Sequence, residues 1–180
     1  YDLRLHRTDS DSALIPGYKT AMASYPGRFT SGDDFYITSA RLAIQETTIA
    51  IWDESLNKNI KPQSVLQWAR SALATRLAST AEEWVYYYSL YNSGLYNNQW
   101  MVFDYNRFHP GKGLDDGAFW IYEQIPGGGH SGDLTNYLRN TTYWGSYNIP
   151  YFKDIYNACG YPAKVEEWEP KAMSWEDGAR

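Results

Sequence analysis

Two clusters that contain asparagine are the residues best suited to chemistry. Asn97-Asn98-Gln99 stands immediately before an apolar run, and the stretch 144–150 (Trp-Gly-Ser-Tyr-Asn-Ile-Pro) precedes a predicted helix. A carboxamide at a strand edge is a neutral, directional donor that can stabilise an oxyanion in acyl transfer. Asparagine also caps turns, and on residue type alone capping is the more frequent use of this side chain. Both interpretations stay open at this point.

The other reactive side chains lack the spacing that known sites require. His6, His109 and His130 have no neighbour at metal-ligand spacing, so no metal site and no cofactor is expected. The run 127–129 of three glycines is followed by His-Ser, whereas a phosphate loop needs Lys-Ser or Lys-Thr there. Cys159 is the only cysteine and is predicted to be a small buried side chain, because free cysteine is usually buried.

Composition limits the class of protein. The 180 residues suit a single domain over 1–180, and the net charge of -5 without a Lys/Arg cluster disfavours nucleic-acid binding. The 17 Tyr and 8 Trp suit partly solvent-exposed positions such as groove walls and subunit interfaces, so a homo-oligomer is one expectation. Asn140-Thr141-Thr142 is a sequon, which makes Asn140 a candidate glycosylation site.

The pattern of residue types along the chain predicts the strands and helices that must position the two asparagine clusters. Alternating, β-branched and aromatic residues predict strands, and two nearly continuous apolar runs predict strands that are buried on both faces. Residues 126–132 are predicted to be a glycine-rich loop. The predicted strands are 1–7, 35–38, 42–44, 47–52, 100–105 and 118–122, the last two being the apolar runs.

Helices are predicted between and after these strands. Pro62 suits the first turn of a helix that runs to about Ala78. One face of this helix has Val65, Ala69, Ala72 and Arg76, and Leu66, Leu73 and Leu77 lie beside that face, which gives a broad apolar stripe. Thr80 and Glu83 have the form of a capping box for a second helix, at 81–91, which Gly94 would follow as a C-cap. Short helices are predicted at 133–139 and 150–158, and the tail 166–180 is predicted to be irregular. The fold class is α+β.

At these clusters the sequence resembles the phospholipase B-like family. The matching stretches occur in the family's order and extend from about residue 24 to residue 162. They are Ser24-Tyr25-Pro26-Gly27, Gly32-Asp33-Asp34-Phe35-Tyr36-Ile37, Glu46-Thr47-Thr48, the segment 92–102 (Asn-Ser-Gly-Leu-Tyr-Asn-Asn-Gln-Trp-Met-Val), Glu123-Gln124-Ile125-Pro126 and the segment 142–152 (Thr-Tyr-Trp-Gly-Ser-Tyr-Asn-Ile-Pro-Tyr-Phe).

The resemblance implies a four-layer αββα fold of the N-terminal-nucleophile hydrolases. It also implies a secreted or lysosomal glycoprotein precursor, in which cleavage exposes a cysteine whose thiol attacks and whose α-amino group acts as the base. The implied substrates are phospholipid acyl esters, or amides as in relatives of that fold. The nucleophile and a following His-Ser-x-Trp element would lie upstream of Tyr1, so the chain is expected to be an internal fragment. Its partners would be the N-terminal and C-terminal segments of the same precursor.

The resemblance also suggests roles for individual residues. Asn148 would stabilise the oxyanion, Thr47 would orient the α-amine or the substrate, and Arg180 would stabilise negative charge. Residues expected to line or support the substrate pocket are Asn97, Asn98 and Trp144. The alternative is a protein of the same fold without activity, which binds or stores a lipid or glycan along its aromatic side chains.

Overall fold

A meander of antiparallel strands forms the centre of the chain. The computed structural model describes residues 14–168 and 174–178. Six strands are ordered β1-β2-β3-β4-β7-β8, and every neighbouring pair is antiparallel; the short strands β5 and β6 form a separate pair. The strands are β1 Thr20–Ala21, β2 Phe35–Thr38, β3 Leu42–Thr48, β4 Asn98–Asp104, β5 Phe108–His109, β6 Gly113–Leu114, β7 Phe119–Ile125 and β8 Gly128–Asp133.

Helices occupy the connections and the end of the described chain. They are α1 Gln67–Leu77, α2 Ala81–Ser89, α3 Thr135–Thr141, α4 Lys153–Ala158, α5 Tyr161–Trp168 and α6 Trp175–Gly178, with short 3-10 helices at Glu54–Asn59 and Tyr105–Arg107. The predicted cap of α2 is confirmed, because Thr80 Oγ1 accepts the Glu83 N–H at 3.1 Å. Glu83 in turn accepts the N–H of Ser79 at 2.8 Å. The fold is α+β, as predicted.

Helices α1 and α2 cover one face of the sheet, here called the helix face. Three large rings at its centre, Trp84, Tyr88 and Trp100, are fully buried, and their centroids lie 4.7–5.0 Å apart. Leu42, Ile44 and other apolar side chains of the sheet pack against the same group. Large aromatic side chains bury the most area per residue, so this cluster is the main stabilising core.

The opposite face, here called the second face, is covered in part by α3 and the segment 143–152. Met101, Phe119 and Ile121 are its buried centre, and Leu134, Trp144 and Phe152 are among the side chains that pack against them. Strands β4 and β7 are therefore buried on both faces, as their continuous apolar pattern predicted. A third cluster joins Ile49 and Ile149 to helices α4 and α5.

The prediction for the first helix was wrong in its start and in its buried face. The helix begins at Gln67, and Leu66, Leu73 and Leu77 are 50%, 55% and 41% exposed. Its buried residues are Arg70, Ser71, Ala74 and Thr75. The aromatic rings of α2 occupy much of the interior, and three of the four buried residues of α1, Ser71, Ala74 and Thr75, are small. Arg70 is buried because the backbone carbonyls of Val65 and Tyr88 and the side chain of Gln124 accept its hydrogen bonds.

Most of the predicted loop 126–132 forms strand β8, which spans Gly128–Asp133. Gly129 pairs with Gln124, and a Cβ atom there would lie 2.6 Å from the ring of Tyr122 and the carbonyl oxygen of Glu123. Glycine is thus present because another part of the protein approaches its backbone closely, which a pattern of glycines alone does not distinguish from a flexible loop.

Smaller differences concern the boundaries of elements. Residues 42–48 form one strand, whereas 49–52 lie outside it, and helix α2 ends at Ser89 with Leu90, instead of Gly94, as its C-cap. The tail contains helices α5 and α6 rather than being wholly irregular. The predicted strand 1–7 lies outside the described residues. Within those residues, every helix is too short or too polar to cross a membrane.

Substitutions at two glycines with positive φ can test how closely the surrounding turns are packed. Gly94 has φ +71°, and a Cβ there would lie 2.8 Å from the Cα of Pro126; Gly111 has φ +78° with open space around it. We expect Gly111→Ala to lower the free energy of unfolding by about 1–2 kcal/mol, the cost of a left-handed alanine. Gly94→Ala should cost clearly more, because backbone must also move. Denaturant titration measures both, and equal losses would contradict the packing argument.

Candidate active site

The end of β3 brings two of the predicted site segments together. Thr47 is the second-last residue of this strand. Its Oγ1 forms a hydrogen bond with Oγ of Ser146, 99 residues later in the chain. Asn148 Nδ2 donates to the backbone carbonyl of Thr48 at 2.9 Å. The segment 144–150 therefore folds back on the sheet, and it places a hydroxyl pair and a carboxamide at one end of β3.

Asn148 has a backbone conformation that suits its residue type. Its φ is +62°, a left-handed value that asparagine tolerates better than most residues. Its backbone carbonyl accepts the hydroxyl of Tyr161 at 2.8 Å, and that hydroxyl accepts the N–H of Ala50 at 3.2 Å. The carboxamide itself is exposed. An amide carries two N–H donors, so one can hold Thr48 while the second faces outward.

A chain of buried polar groups supports this segment from the second face. Trp144 Nε1 donates to Gln99 Oε1 at 3.1 Å, and Gln99 Nε2 donates to Glu123 Oε1 at 2.6 Å. The Trp144 ring also packs at the edges of Phe119 and Tyr151. Trp144 is thus fixed by both its indole N–H and its ring, although it is only partly buried.

Glu123 is the centre of that chain. The side chain has no exposed area, and besides Gln99 it accepts the backbone N–H groups of Tyr151 at 2.6 Å and Phe152 at 3.0 Å. Burial raises the pKa of Glu123 to about 7, although its three hydrogen bonds oppose that rise. The carboxyl group therefore ties the segment that follows Asn148 to strand β7.

Asn97 belongs to a different network, on the helix face. Its Nδ2 donates to the carbonyl of Gly94 at 2.9 Å, and its Oδ1 accepts from Gln124 Nε2 at 2.9 Å. Gln124 Oε1 in turn accepts from Arg70. The amide of Asn97 thereby holds the turn before β4, which is the capping use of asparagine. This turn lies close to Thr48, because Thr48 pairs with Asn98, the first residue of β4.

Asn98 is fully buried on the helix face. It pairs across the ladder with Thr48, whereas Thr47 pairs with Gln99, so alternation places Asn98 and Thr47 on opposite faces. Its Oδ1 and Nδ2 have no hydrogen-bond partner among the described residues. A buried amide without partners costs free energy, so this position is unusual in a folded protein.

The remaining predicted residues lie elsewhere. Arg180 is outside the described residues. Asn140 is exposed near the C-terminal end of α3, where its side chain is accessible for modification. Cys159 is fully buried, and burial raises the pKa of its thiol to about 12, so the thiol stays protonated and unreactive. In the described part of the chain, no group of three His, Cys, Asp or Glu side chains is placed to hold a metal ion.

Sequence reasoning gave Glu123 no role. Its signal was an acidic residue inside a nearly continuous apolar strand, because such a residue has to be buried with partners. The partners, the N–H groups of Tyr151 and Phe152, are 28 and 29 residues away in sequence. A sequence pattern therefore indicates that Glu123 needs hydrogen bonds, but it does not identify the donors.

The ionisation of Glu123 predicts that stability falls as pH rises. A carboxyl group whose pKa is about 7 in the folded state and 4.5 ordinarily binds more protons when folded, so its contribution is complete below pH 4.5 and is lost as pH rises through 7. We expect the melting temperature to fall by several degrees between pH 5 and pH 8. Calorimetry across this range measures it.

Variants separate Glu123 from other groups. Glu123→Gln replaces one acceptor oxygen by a donor, so we expect about 2 kcal/mol lower stability at pH 5 and a flatter dependence on pH. Glu82→Gln, an exposed residue of α2, is the matched control and should leave both unchanged. A Glu123→Gln protein with the original pH slope would contradict the assignment.

Similarity to known proteins agrees with the motifs at this site. The family model for phospholipase B matches residues 1–180. The chain is 51% identical to phospholipase B-like protein G of Dictyostelium discoideum over 83% of the chain and 26% of that relative. It is 42% identical to putative phospholipase B-like 2 of Caenorhabditis elegans over 97% of the chain and 32% of that relative.

A human protein gives the same result. The chain is 45% identical to putative phospholipase B-like 2 of Homo sapiens, over 88% of the chain and 27% of that relative. It thus spans between a quarter and a third of the length of these relatives. With the family model matched along all 180 residues, the chain belongs to the phospholipase B family.

Proposed function

We propose that this chain forms the pocket of a hydrolase that cleaves an acyl ester or amide bond, with an N-terminal cysteine outside this chain as the nucleophile. The observation that carries the proposal is the exposed carboxamide of Asn148, held by Thr48 at the end of β3 beside the Thr47–Ser146 hydroxyl pair. Neutral donors in fixed positions are what an oxyanion requires, since they stabilise charge as it develops.

The chemistry of the described residues supports a nucleophile from outside. Cys159 is buried and protonated, and the partner of the Thr47 hydroxyl is another hydroxyl, which is too weak a base to activate it. An N-terminal cysteine needs no further base, because its own α-amine titrates near neutrality. In this arrangement Thr47 orients that amine, Asn148 stabilises the oxyanion and Arg180 stabilises negative charge. Trp144 lines the pocket, which Asn97 and Asn98 support.

The names of the relatives support a choice of substrate class. The relatives' names denote phospholipase B-like proteins, so a phospholipid acyl ester is the first substrate to test and an amide is the second. The four-layer αββα arrangement is part of the same proposal. Ile37 is 51% exposed on the second face, which α3 and residues 143–152 cover only in part, so apolar area is available there for a second sheet.

The partners of the chain are proposed to be other segments of the same polypeptide. The exposed Leu73 and Leu77 of α1, together with Leu66 at its N-cap, form an apolar strip, and contiguous exposed apolar area marks an interaction surface. A lysosomal or secreted location is supported by two observations. Asn140 is exposed in its sequon, and the raised pKa of Glu123 favours the folded state in acid.

Asn148→Gly tests the oxyanion role in the full-length protein. Glycine accepts the φ of +62°, so the backbone should be unstrained while the carboxamide is lost. We expect kcat to fall on the order of a hundredfold, with a smaller change in KM, as for the loss of one oxyanion donor. Hydrolysis of lysophosphatidylcholine and of an N-acyl amide measures both. Tyr143→Phe, an exposed neighbour, is the control.

The same assay distinguishes the alternatives. Unchanged turnover in Asn148→Gly would contradict the role of the carboxamide. If the unmodified full-length protein hydrolyses neither substrate, the hydrolase proposal fails and the lipid- or glycan-binding alternative is favoured.

The nucleophile has its own test. We expect iodoacetamide to abolish activity of the full-length protein, and Cys159→Ala to remain both active and sensitive, because the buried thiol takes no part. Mass spectrometry should locate the alkylated cysteine at a new N-terminus upstream of Tyr1. Loss of activity in Cys159→Ala without loss of folding, or alkylation only at Cys159, would overturn the proposal.

A further inference from the structure

A cavity lies beside the end of β3, on the helix face of the sheet. Its volume is about 550 Å³, within the range of small-molecule sites, and it lies between the loop before β2, strand β3 and helix α1. Glu46 and Tyr36 are buried walls, at 6% and 3% exposure, and Trp68 and Tyr96 are each 50% exposed. Glu46 neighbours Thr47 in the strand, so alternation directs the two side chains to opposite faces.

Glu46 has an acceptor atom that the protein does not use. Its Oε2 is buried and has no hydrogen-bond partner among the described residues. A buried carboxyl oxygen without a donor costs free energy, so its presence calls for an explanation. Asn98, buried on the same face, has the same deficit at both atoms of its amide.

A second carboxylate lies at the rim of the cavity. Asp34 is exposed and has φ +57°, and its backbone carbonyl accepts the N–H of Glu46 at 3.1 Å. The charge of Asp34 acts on the carboxyl group of Glu46, so the two side chains lie close to each other. One buried and one exposed carboxyl group thus belong to the same cavity.

The walls favour an organic cation over a metal ion. Ca²⁺ and Mg²⁺ need about six oxygen ligands and favour carboxylates, whereas this cavity has two carboxyl groups, and besides its tyrosines its other polar side chains with oxygen atoms are Thr30, Ser31 and Gln67. Among the described residues, no group of three His, Cys, Asp or Glu side chains could hold a metal ion. Tyr36, Trp68 and Tyr96 present three such rings, and ring faces attract ammonium groups. A primary ammonium group also has N–H donors, one of which can form the hydrogen bond that Oε2 of Glu46 does not form within the described residues. A quaternary ammonium group has no N–H donor.

We propose that this cavity binds the primary ammonium group of a small organic amine, whose N–H groups donate to Glu46 while Asp34 supplies further negative charge. The hydrocarbon part of the amine lies along Trp68 and Tyr36. This binding site does not depend on the proposed hydrolysis, because it lies on the other face of β3.

The charges that face Glu46 set the pH dependence. Burial, and then the charge of Asp34, raise the pKa of Glu46 to about 8. Burial also raises the pKa values of Tyr36 and Tyr96, as it does for Tyr88 of α2, so these phenols stay neutral. Arg28 is the cationic side chain in the cavity lining, and it donates to the hydroxyl groups of Thr30 and Tyr25.

Binding of an ammonium ion should therefore release a proton. A group with a pKa of about 8 is roughly a tenth ionised at pH 7 and nine tenths ionised at pH 9, while an alkylamine stays protonated in that range. We expect the affinity for n-butylamine to rise about tenfold between pH 7 and pH 9. Isothermal titration calorimetry of the full-length protein, in two buffers of different ionisation enthalpy, measures both the affinity and the proton.

Neutral and quaternary probes test the chemistry of recognition. 1-Butanol matches n-butylamine in size without the charge, and tetramethylammonium keeps the charge without N–H groups. Both should bind at least tenfold more weakly than n-butylamine at pH 9. Equal binding of 1-butanol would show that the cavity selects only hydrocarbon, and no binding of n-butylamine would show that it is not an amine site; each result overturns the proposal.

Variants connect binding to the named carboxyl groups. Glu46→Gln keeps the shape of a carboxyl group that is mainly neutral at pH 7, so it should fold, bind n-butylamine at least tenfold more weakly at pH 9 and lose the pH dependence. Asp34→Asn tolerates the left-handed φ and should weaken binding at pH 9 several-fold. The rise of affinity with pH should persist but move to lower pH, because the charge of Asp34 no longer raises the pKa of Glu46. Glu82→Gln should change neither. Unchanged binding in both Glu46→Gln and Asp34→Asn would refute the site.

Discussion

The buried carboxyl group of Glu123 is the interaction on which the candidate active site depends. It lies in β7, between β4 and the edge strand β8, and accepts hydrogen bonds from Gln99 in β4 and from the backbone of Tyr151 and Phe152. Burying a carboxyl group costs free energy unless hydrogen-bond donors surround it, so the folded state requires these three donors. By meeting that requirement, the segment 144–152 is fastened to the sheet, and Asn148 reaches the end of β3 as a consequence.

Strand β3 separates two kinds of chemistry by alternation alone. Thr47 lies on the face that residues 144–152 cover, and Glu46 lies on the face that α1 and α2 cover. Successive side chains of a strand point to opposite faces, so the proposed site for acyl transfer and the proposed cavity for an ammonium ion involve neighbouring residues of one motif. The motif Glu46-Thr47-Thr48 therefore contributes to both faces of the sheet.

Much of the fold follows from local pattern. The apolar runs of β4 and β7 predicted strands buried on both faces, and Thr80 with Glu83 predicted the start of α2; both are found. The buried side of α1 was predicted wrongly, because its leucines are exposed and small residues face the rings of α2. Strand β8 was missed because its glycines serve the close approach of Tyr122, which only the folded chain reveals.

The sequence by itself determined the family motifs, the α+β class and the proximity of Asn97 and Asn98 to an apolar strand, because these depend on neighbouring residues and on period. Tertiary structure alone decided which polar groups meet. It joined Asn148 to Thr48 across 100 residues, directed Asn98 to the helix face, and gave Glu123 its donors while leaving Glu46 Oε2 without one among the described residues. Tertiary packing decides which hydrogen-bond partners meet when they are distant in sequence, so the local periodicity of the sequence does not predict them.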